Sequence, residues 1–199
     1  MRGHQISQAR VIAHVGDTEI LTAVGALGYR PSSFDGQWAI KPDVPPPDDC
    51  EPRPMMNRHS GTISERMDAR LANARPFWEF PGPEGSGNAS LWIRVPEVLD
   101  ISAAALAIIG DFVPFGIGQA LGRRAGGNSL DNTLRVAHRV PTEWVLADVR
   151  VHAVADGFGH GLVHLWAEDG TLLGTASQST IVRAHRDEPP TELEGDVKR

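Results

Sequence analysis

The 199-residue chain has one cysteine, Cys50, so no disulfide can close within it and no cysteine-based zinc site can form. It lacks an excess of positive charge. Nineteen Lys and Arg stand against 25 Asp and Glu, giving a formal net charge of -6. A nucleic acid or an anionic membrane wants a concentrated basic face, so general affinity for either is not expected, although local basic patches remain allowed. No apolar run of about 18 residues is present, and the first ten residues, MRGHQISQAR, hold no apolar core of a signal peptide. The expectation is a soluble cytoplasmic protein without membrane insertion. Also absent are HExxH, GxSxG, a P-loop and any short-period repeat.

What is present suffices for a core. The chain is 41% hydrophobic, with Gly 21 and Pro 15. Its length allows one ordinary domain, or one domain plus part of another.

Residues 1–30 carry a hairpin pattern. Ala9, Val11, Ala13 and Val15 alternate with Gln8, Arg10, Ile12 and His14, Gly16-Asp17-Thr18 gives a turn, and Leu21, Ala23, Gly25 and Leu27 continue an apolar face. A lone hairpin is marginal in water, so these strands need a sheet to join. Residues 31–58 hold Pro31, Pro42, Pro45, Pro46, Pro47, Pro52 and Pro54, and read as an extended linker without elements, with Trp38 anchoring it on the domain surface.

Residues 59–186 read as a complete α+β domain, with 187–199 as a flexible tail. Ile63, Glu65, Met67, Ala69 and Leu71 predict one strand, and Leu91, Ile93 and Val95 another. A helix follows from Asp100 or Ser102, either of which can cap it, to Gly110. It is apolar almost all round, so burial is expected. Long strands come next. Val145, Ala147, Val149, Val151 and Ala153 share a face, Gly157-Phe158-Gly159 turns, Gly161, Val163, Leu165 and Ala167 return, and 171–183 form the last strand after Glu168-Asp169-Gly170. One central helix followed by consecutive antiparallel strands describes a sheet wrapped around a helix.

Few residues carry chemistry. Gly116-Ile-Gly-Gln-Ala-Leu-Gly122 follows a helix rather than a strand, which is the wrong context for a dinucleotide loop. His160 and His164 stand i,i+4 on a predicted strand with His152 nearby; without a carboxylate cluster they read as solvent-facing strand residues, and no metal is expected. Asp111, immediately after the apolar helix, must be hydrogen-bonded or used; capping the following loop and acting as a base both fit. Gln178 interrupts the face of the last strand shared by Ala176 and Thr180, and Ser129 opens a strand Ser129-Leu-Asp-Asn-Thr-Leu.

The order of these residues carries a resemblance. Ile109-Gly-Asp-Phe-Val-Pro, Ser129-Leu-Asp-Asn-Thr-Leu, and Asp169-Gly-Thr-Leu-Leu-Gly-Thr-Ala-Ser-Gln-Ser-Thr-Ile-Val-Arg resemble the C-terminal half of the bacterial acyl-CoA thioesterase II family, a double hotdog fold. Glu143-Trp144 before the long strand also fits. The resemblance covers Leu106 to Arg183. It implies a hotdog domain preceded by the final hairpin of an incomplete first hotdog. It implies hydrolysis of a fatty acyl-CoA by water that an Asp, a hydroxyl and a Gln activate, which fall on Asp111, Ser129 and Gln178. Ser129 stands where Thr is familiar, losing the methyl that restrains the rotamer. The Asp-His pair common after that hydroxyl reads Asp131-Asn132 here.

On this reading the apolar helix face and an aromatic loop with Phe112 and Phe115 offer an acyl-binding surface, and Arg123 and Arg124 offer partners for coenzyme A phosphates, or are two solvated arginines. No cofactor is expected. A homo-oligomer through hotdog sheet pairing is expected. Hotdog domains also serve as non-catalytic acyl-CoA-binding or assembly modules, so that function stays open beside hydrolysis. A hydratase would want a His on the helix, which has none.

Overall fold

The computed structural model describes residues 6–54, 60–97 and 101–185. The chain divides into two compact units, one ending at Gly36 and the other beginning at Gln37.

The first unit is a hairpin of β1 (Ile6–Val15) and β2 (Thr18–Gly28). Gly16 takes φ 59°, the positive φ that the first position of a primed hairpin turn requires. The register places Ala9, Val11 and Ala13 opposite Gly25, Ala23 and Leu21, so the apolar residues of both strands share one face. That face is uncovered: Val11 is 58% and Leu21 53% exposed.

The second unit contains an eight-stranded antiparallel sheet. Its strands are β3 (Glu51–Pro52), β4 (Asp68–Asn73), β5 (Asn88–Arg94), β6 (Ala125–Ser129), β7 (Thr133–Val136), β8 (Val145–Ala155), β9 (Phe158–Ala167) and β10 (Leu172–Ala184). The spatial order is β3-β4-β5-β8-β9-β10-β6, with β7 also on β10. Asp156 and Gly157 both take positive φ, which closes the β8–β9 hairpin in two residues.

Alternation along these strands sorts their side chains. Leu91, Ile93, Val145, Ala147, Val149, Val163, Leu165 and Ala176 face a core shared with Leu106, Ile109, Val113 and Ile117 from the helical segment. The sheet therefore wraps a helix, as the sequence pattern implies. That helix is broken into α1 (Ala103–Ile109) and α2 (Val113–Leu121). Pro114 lies in the first turn of α2, where its missing N–H costs nothing, and it has no N–H to give the Gly110 carbonyl, so a continuous helix is interrupted before it. Together α1 and α2 are long and apolar enough to cross a bilayer, with mean hydropathy 1.6, but 56% of that stretch is buried within the protein.

Several expectations need correction. α1 is buried on one side only: Ala105, Leu106 and Ile109 are buried, whereas Ala103, Ala104, Ala107 and Ile108 are exposed. Ser102 caps α1 by accepting from the Ala105 N–H at 3.2 Å; Asp100 lies outside the described residues. Ile63–Arg66 form a 3-10 turn, and the strand starts only at Asp68. Gly116, Gly118 and Gly122 follow a helix, α1, as expected, and lie within and at the end of a second one, α2. There they permit close packing: a Cβ on Gly116 would lie 2.6 Å from Val149 Cγ1.

The largest correction concerns the proline-rich segment. From Gln37 onward it is part of the second unit. It contains a 3-10 turn, Pro47–Asp49, and strand β3. Trp92, Trp144, Leu146 and Trp166 point away from the helix and form a second apolar cluster with Cys50, Ala39 and Val44 of this strap. The Trp92 indole donates to the Pro45 carbonyl at 2.8 Å, and Gln37 bonds both Gly170 and Leu172. Trp38 anchors nothing: it is 88% exposed, and Gln37 and Val44 do the anchoring on either side of it.

Candidate functional site

β10 is the longest strand, and its outer edge is covered by two short strands end to end. β6 pairs with Thr180–Ala184 and β7 with Gly174–Ser177. Between them, beside Gln178, the edge is crossed only by Leu130, Asp131 and Asn132. The break between α1 and α2 lies against the same part of β10. Gly110 allows the approach, since a Cβ there would sit 2.8 Å from the Ala176 Cβ, two residues before Gln178.

Asp111, Ser129 and Gln178 meet at this point. Ser129 Oγ donates to Asp111 Oδ1 at 2.9 Å. Gln178 Nε2 donates to Ser129 Oγ at 2.6 Å and also to Asp111 Oδ1. Ser129 ends β6 rather than opening a strand, and it lies opposite Thr180, diagonal to Gln178 on the same face. The burial is asymmetric. Gln178 is 2% exposed, whereas Asp111 and Ser129 belong to the solvent-exposed residues. The carboxylate is thus not a buried charge. It sits at the surface, with its inner oxygen held by two donors.

Two acceptor atoms are left over. Asp111 Oδ1 takes both donors, and Oδ2 receives none from the described residues. Gln178 Oε1 is buried without a hydrogen-bond partner, a condition that costs about 1–3 kcal/mol unless something fills it. The N terminus of α2 follows directly after Asp111, and Phe112 at its cap position supplies no side-chain hydrogen bond. The site therefore joins a carboxylate oxygen open to a proton, a hydroxyl, a buried amide and a helix end that favours negative charge.

The other sequence-derived candidates lie elsewhere. Phe112 and Phe115 belong to the start of α2, not to a loop; they pack edge to face at 6.5 Å and against the core. The Arg53 guanidinium lies 5.8 and 5.4 Å over their rings. Arg53 carried no sequence signal, because its place beside Phe112 depends on the strap. Arg123 and Arg124 follow the far end of α2, roughly 15 Å along the helix from Asp111. Arg123 is exposed, and Arg124 stacks on Phe77 at 5.6 Å. Glu143 pairs with Arg94, whose guanidinium covers the buried Trp144 at 4.5 Å, so this pair braces the strap side of the sheet.

His152 and His160 are exposed, as expected of solvent-facing strand residues, whereas His164 is half-buried. His152 and His160 meet at 5.5 Å, and His164 stacks on Trp166. Burial, then the Arg150 charge, push the His164 pKa down, with Asp148 opposing. Among the described residues no group of three or more His, Cys, Asp or Glu is arranged to hold a metal.

The sequence profile of the acyl-CoA thioesterase C-terminal domain matches residues 47–182. Among solved structures, a candidate thioesterase from Novosphingobium aromaticivorans is 34% identical, with TM-score 0.77 over 92% of this chain and 70% of that one. A conserved protein of unknown function with a hot dog fold from Alicyclobacillus acidocaldarius is 20% identical, with TM-score 0.76 over 94% and 70%. The acyl-CoA thioesterase II of Mycobacterium marinum is 18% identical, with TM-score 0.66 over 94% and 72%. No curated protein matches the chain.

Proposed function

The chain belongs to the acyl-CoA thioesterase C-terminal domain family and has a hotdog fold, and from that premise we propose that it hydrolyses a fatty acyl-CoA to the free acid and coenzyme A at Asp111, Ser129 and Gln178. The convergence of Ser129 Oγ and Gln178 Nε2 on one oxygen of Asp111 carries this reading. With Oδ1 held, Oδ2 faces the attacking water and takes its proton as general base. The water oxygen bonds to the thioester carbon, and the carbonyl becomes an oxyanion near the N terminus of α2. Its collapse breaks the carbon–sulfur bond, and the departing thiolate recovers the proton from Asp111. Gln178 Oε1 is the acceptor available for a second hydrogen of the water.

Ala104, Ala107, Ile108 and Asp111 lie at helical spacing, so the exposed side of α1 leads as an apolar path to the carboxylate. This face, more than the packed rings of Phe112 and Phe115, suits an acyl chain. Arg123, exposed beyond α2, is the freer of the two arginines for a coenzyme A phosphate, since Arg124 is held on Phe77. The same reading makes the protein a homo-oligomer through pairing of hotdog sheets along the β6–β7 edge, which among the described residues pairs with β10 alone.

Thiol release from a panel of straight-chain acyl-CoAs tests the proposal. Asp111→Asn should lower turnover by about 10²- to 10⁴-fold, the usual worth of a general base. Equal rates for wild type and variant would overturn the assignment. Saturable acyl-CoA binding with no turnover in the wild type would instead mark a non-catalytic binding module.

A further inference from the structure

We infer that Asp131 is a positioning residue for this site: its carboxylate replaces a missing rung of the β10 ladder and thereby fixes Ser129 against Asp111 and Gln178. The inference rests on the hydrolytic reading above.

The geometry is that of a bulge. Ser129 is opposite Thr180 and Thr133 is opposite Ser177, so three residues, Leu130, Asp131 and Asn132, span the place of two, Gln178 and Ser179. One extra residue bends a strand and interrupts its hydrogen bonds. The Ser179 carbonyl keeps a backbone partner, the Leu130 N–H at 2.8 Å. The Ser179 N–H points to where the edge strand has left the ladder, and it donates to Asp131 Oδ1 at 2.5 Å. The carboxylate thus ties the middle of the arch to the residue after Gln178. Hydrogen bonds to a charged acceptor are roughly twice as strong as neutral ones, which suits a single tie at the open edge of a sheet.

The tie acts on chemistry through Ser129. That residue is the last paired position of β6, and its hydroxyl must meet both Asp111 Oδ1 and Gln178 Nε2. Without the tie the arch is held by one backbone bond at Leu130, and Ser129 loses a fixed place on the face of Gln178. Serine has no methyl to restrain its rotamer, so backbone placement carries more of its alignment than it would for threonine.

Three measurements decide the matter. Asp131→Ala should lower kcat by on the order of 10- to 100-fold, the cost of misplacing a catalytic group by about 1 Å, with KM within about twofold. Asp131→Asn keeps an oxygen acceptor for the Ser179 N–H and should restore kcat to within about threefold of wild type. Amide exchange at Ser179 should quicken by about tenfold or more in Asp131→Ala and much less in Asp131→Asn. Wild-type kcat in Asp131→Ala, or Ser179 exchange unchanged by its loss, overturns the inference. Equal loss in both variants with Ser179 protected also overturns it. If Asp131→Ala does not fold, Asp131→Leu, of similar size and without an acceptor, is read by the same kcat and Ser179 exchange measurements. Asp111→Asn run in parallel separates the two levels: its retention of full activity sinks the hydrolytic reading, while Ser179 exchange judges the tie alone.

Discussion

His164 shows how one residue couples the sheet to pH. Its imidazole stacks on Trp166 and is half-buried beside Arg150, so its protonated form is disfavoured and its folded pKa lies below 6.5. Above about 6.5 both folded and unfolded chains hold it neutral. As pH falls below that value the unfolded chain takes up a proton first, so the stability contributed by the neutral ring declines until pH passes the folded pKa. Thermal unfolding measured from pH 7.5 down to 5 should therefore show a falling midpoint, and His164→Gln should flatten that slope. An unchanged slope in the variant would contradict this assignment to His164. The Asp111 carboxylate shows the opposite lesson about burial. Asp111 attracted notice in the sequence because it followed an apolar helix, yet it lies at the surface, where α1 stops. Its meaning was legible only jointly with Ser129 and Gln178. The order of three short passages marked all three residues, whereas Asp131 and Arg53 owe their roles to a bulge and a strap, neither of which leaves a periodic trace.

The break between α1 and α2 is the element that sets the site. Gly110 has ordinary helical backbone angles, so glycine is needed for space rather than for conformation. Gly110→Ala should push the end of α1 away from Ala176, costing about 1–3 kcal/mol by overpacking and lowering turnover because Asp111 moves with it. Adding Ala176→Gly should recover much of both losses; a melting-point and turnover series over the single and double variants checks this. Strand alternation made β5, β8, β9 and β10 legible, since inward apolar and outward polar residues repeat with period two. The helix break was harder, because apolar residues continue on both sides and only Gly110, Asp111 and Pro114 punctuate them. The strap is hidden in the sequence for a physical reason. Proline density argues against hydrogen-bonded ladders, but it does not prevent a chain from lying on an apolar face. Trp92, Trp144 and Trp166 on the outward side of the sheet demanded such a cover, and that demand is visible only once the strands are aligned.

At the scale of the molecule, exposed apolar surface is concentrated in the hairpin. Leu27 is 61% and Val24 79% exposed, and both strands of its two-stranded sheet have an unpaired edge. Edges and apolar faces of this kind are associated with pairing partners. Self-association is the expected state: light scattering of the purified chain should give a mass at least twice 21.5 kDa. A stable, soluble monomer at high concentration would contradict it. The pairing of β1 with β2 was legible from alternation and turn chemistry, and the register pairs the apolar residues as the pattern requires.

The strap has one more consequence, for bench chemistry. Cys50 is the chain's single thiol, it is 6% exposed, and burial together with Asp49 raises its pKa, so little of it is thiolate at neutral pH. A chromogenic disulfide reagent that reports released coenzyme A will therefore meet almost no competing sulfur in the folded protein. One equivalent of slow colour, arriving after the enzymatic phase, would time the lifting of the strap from the tryptophans beneath it.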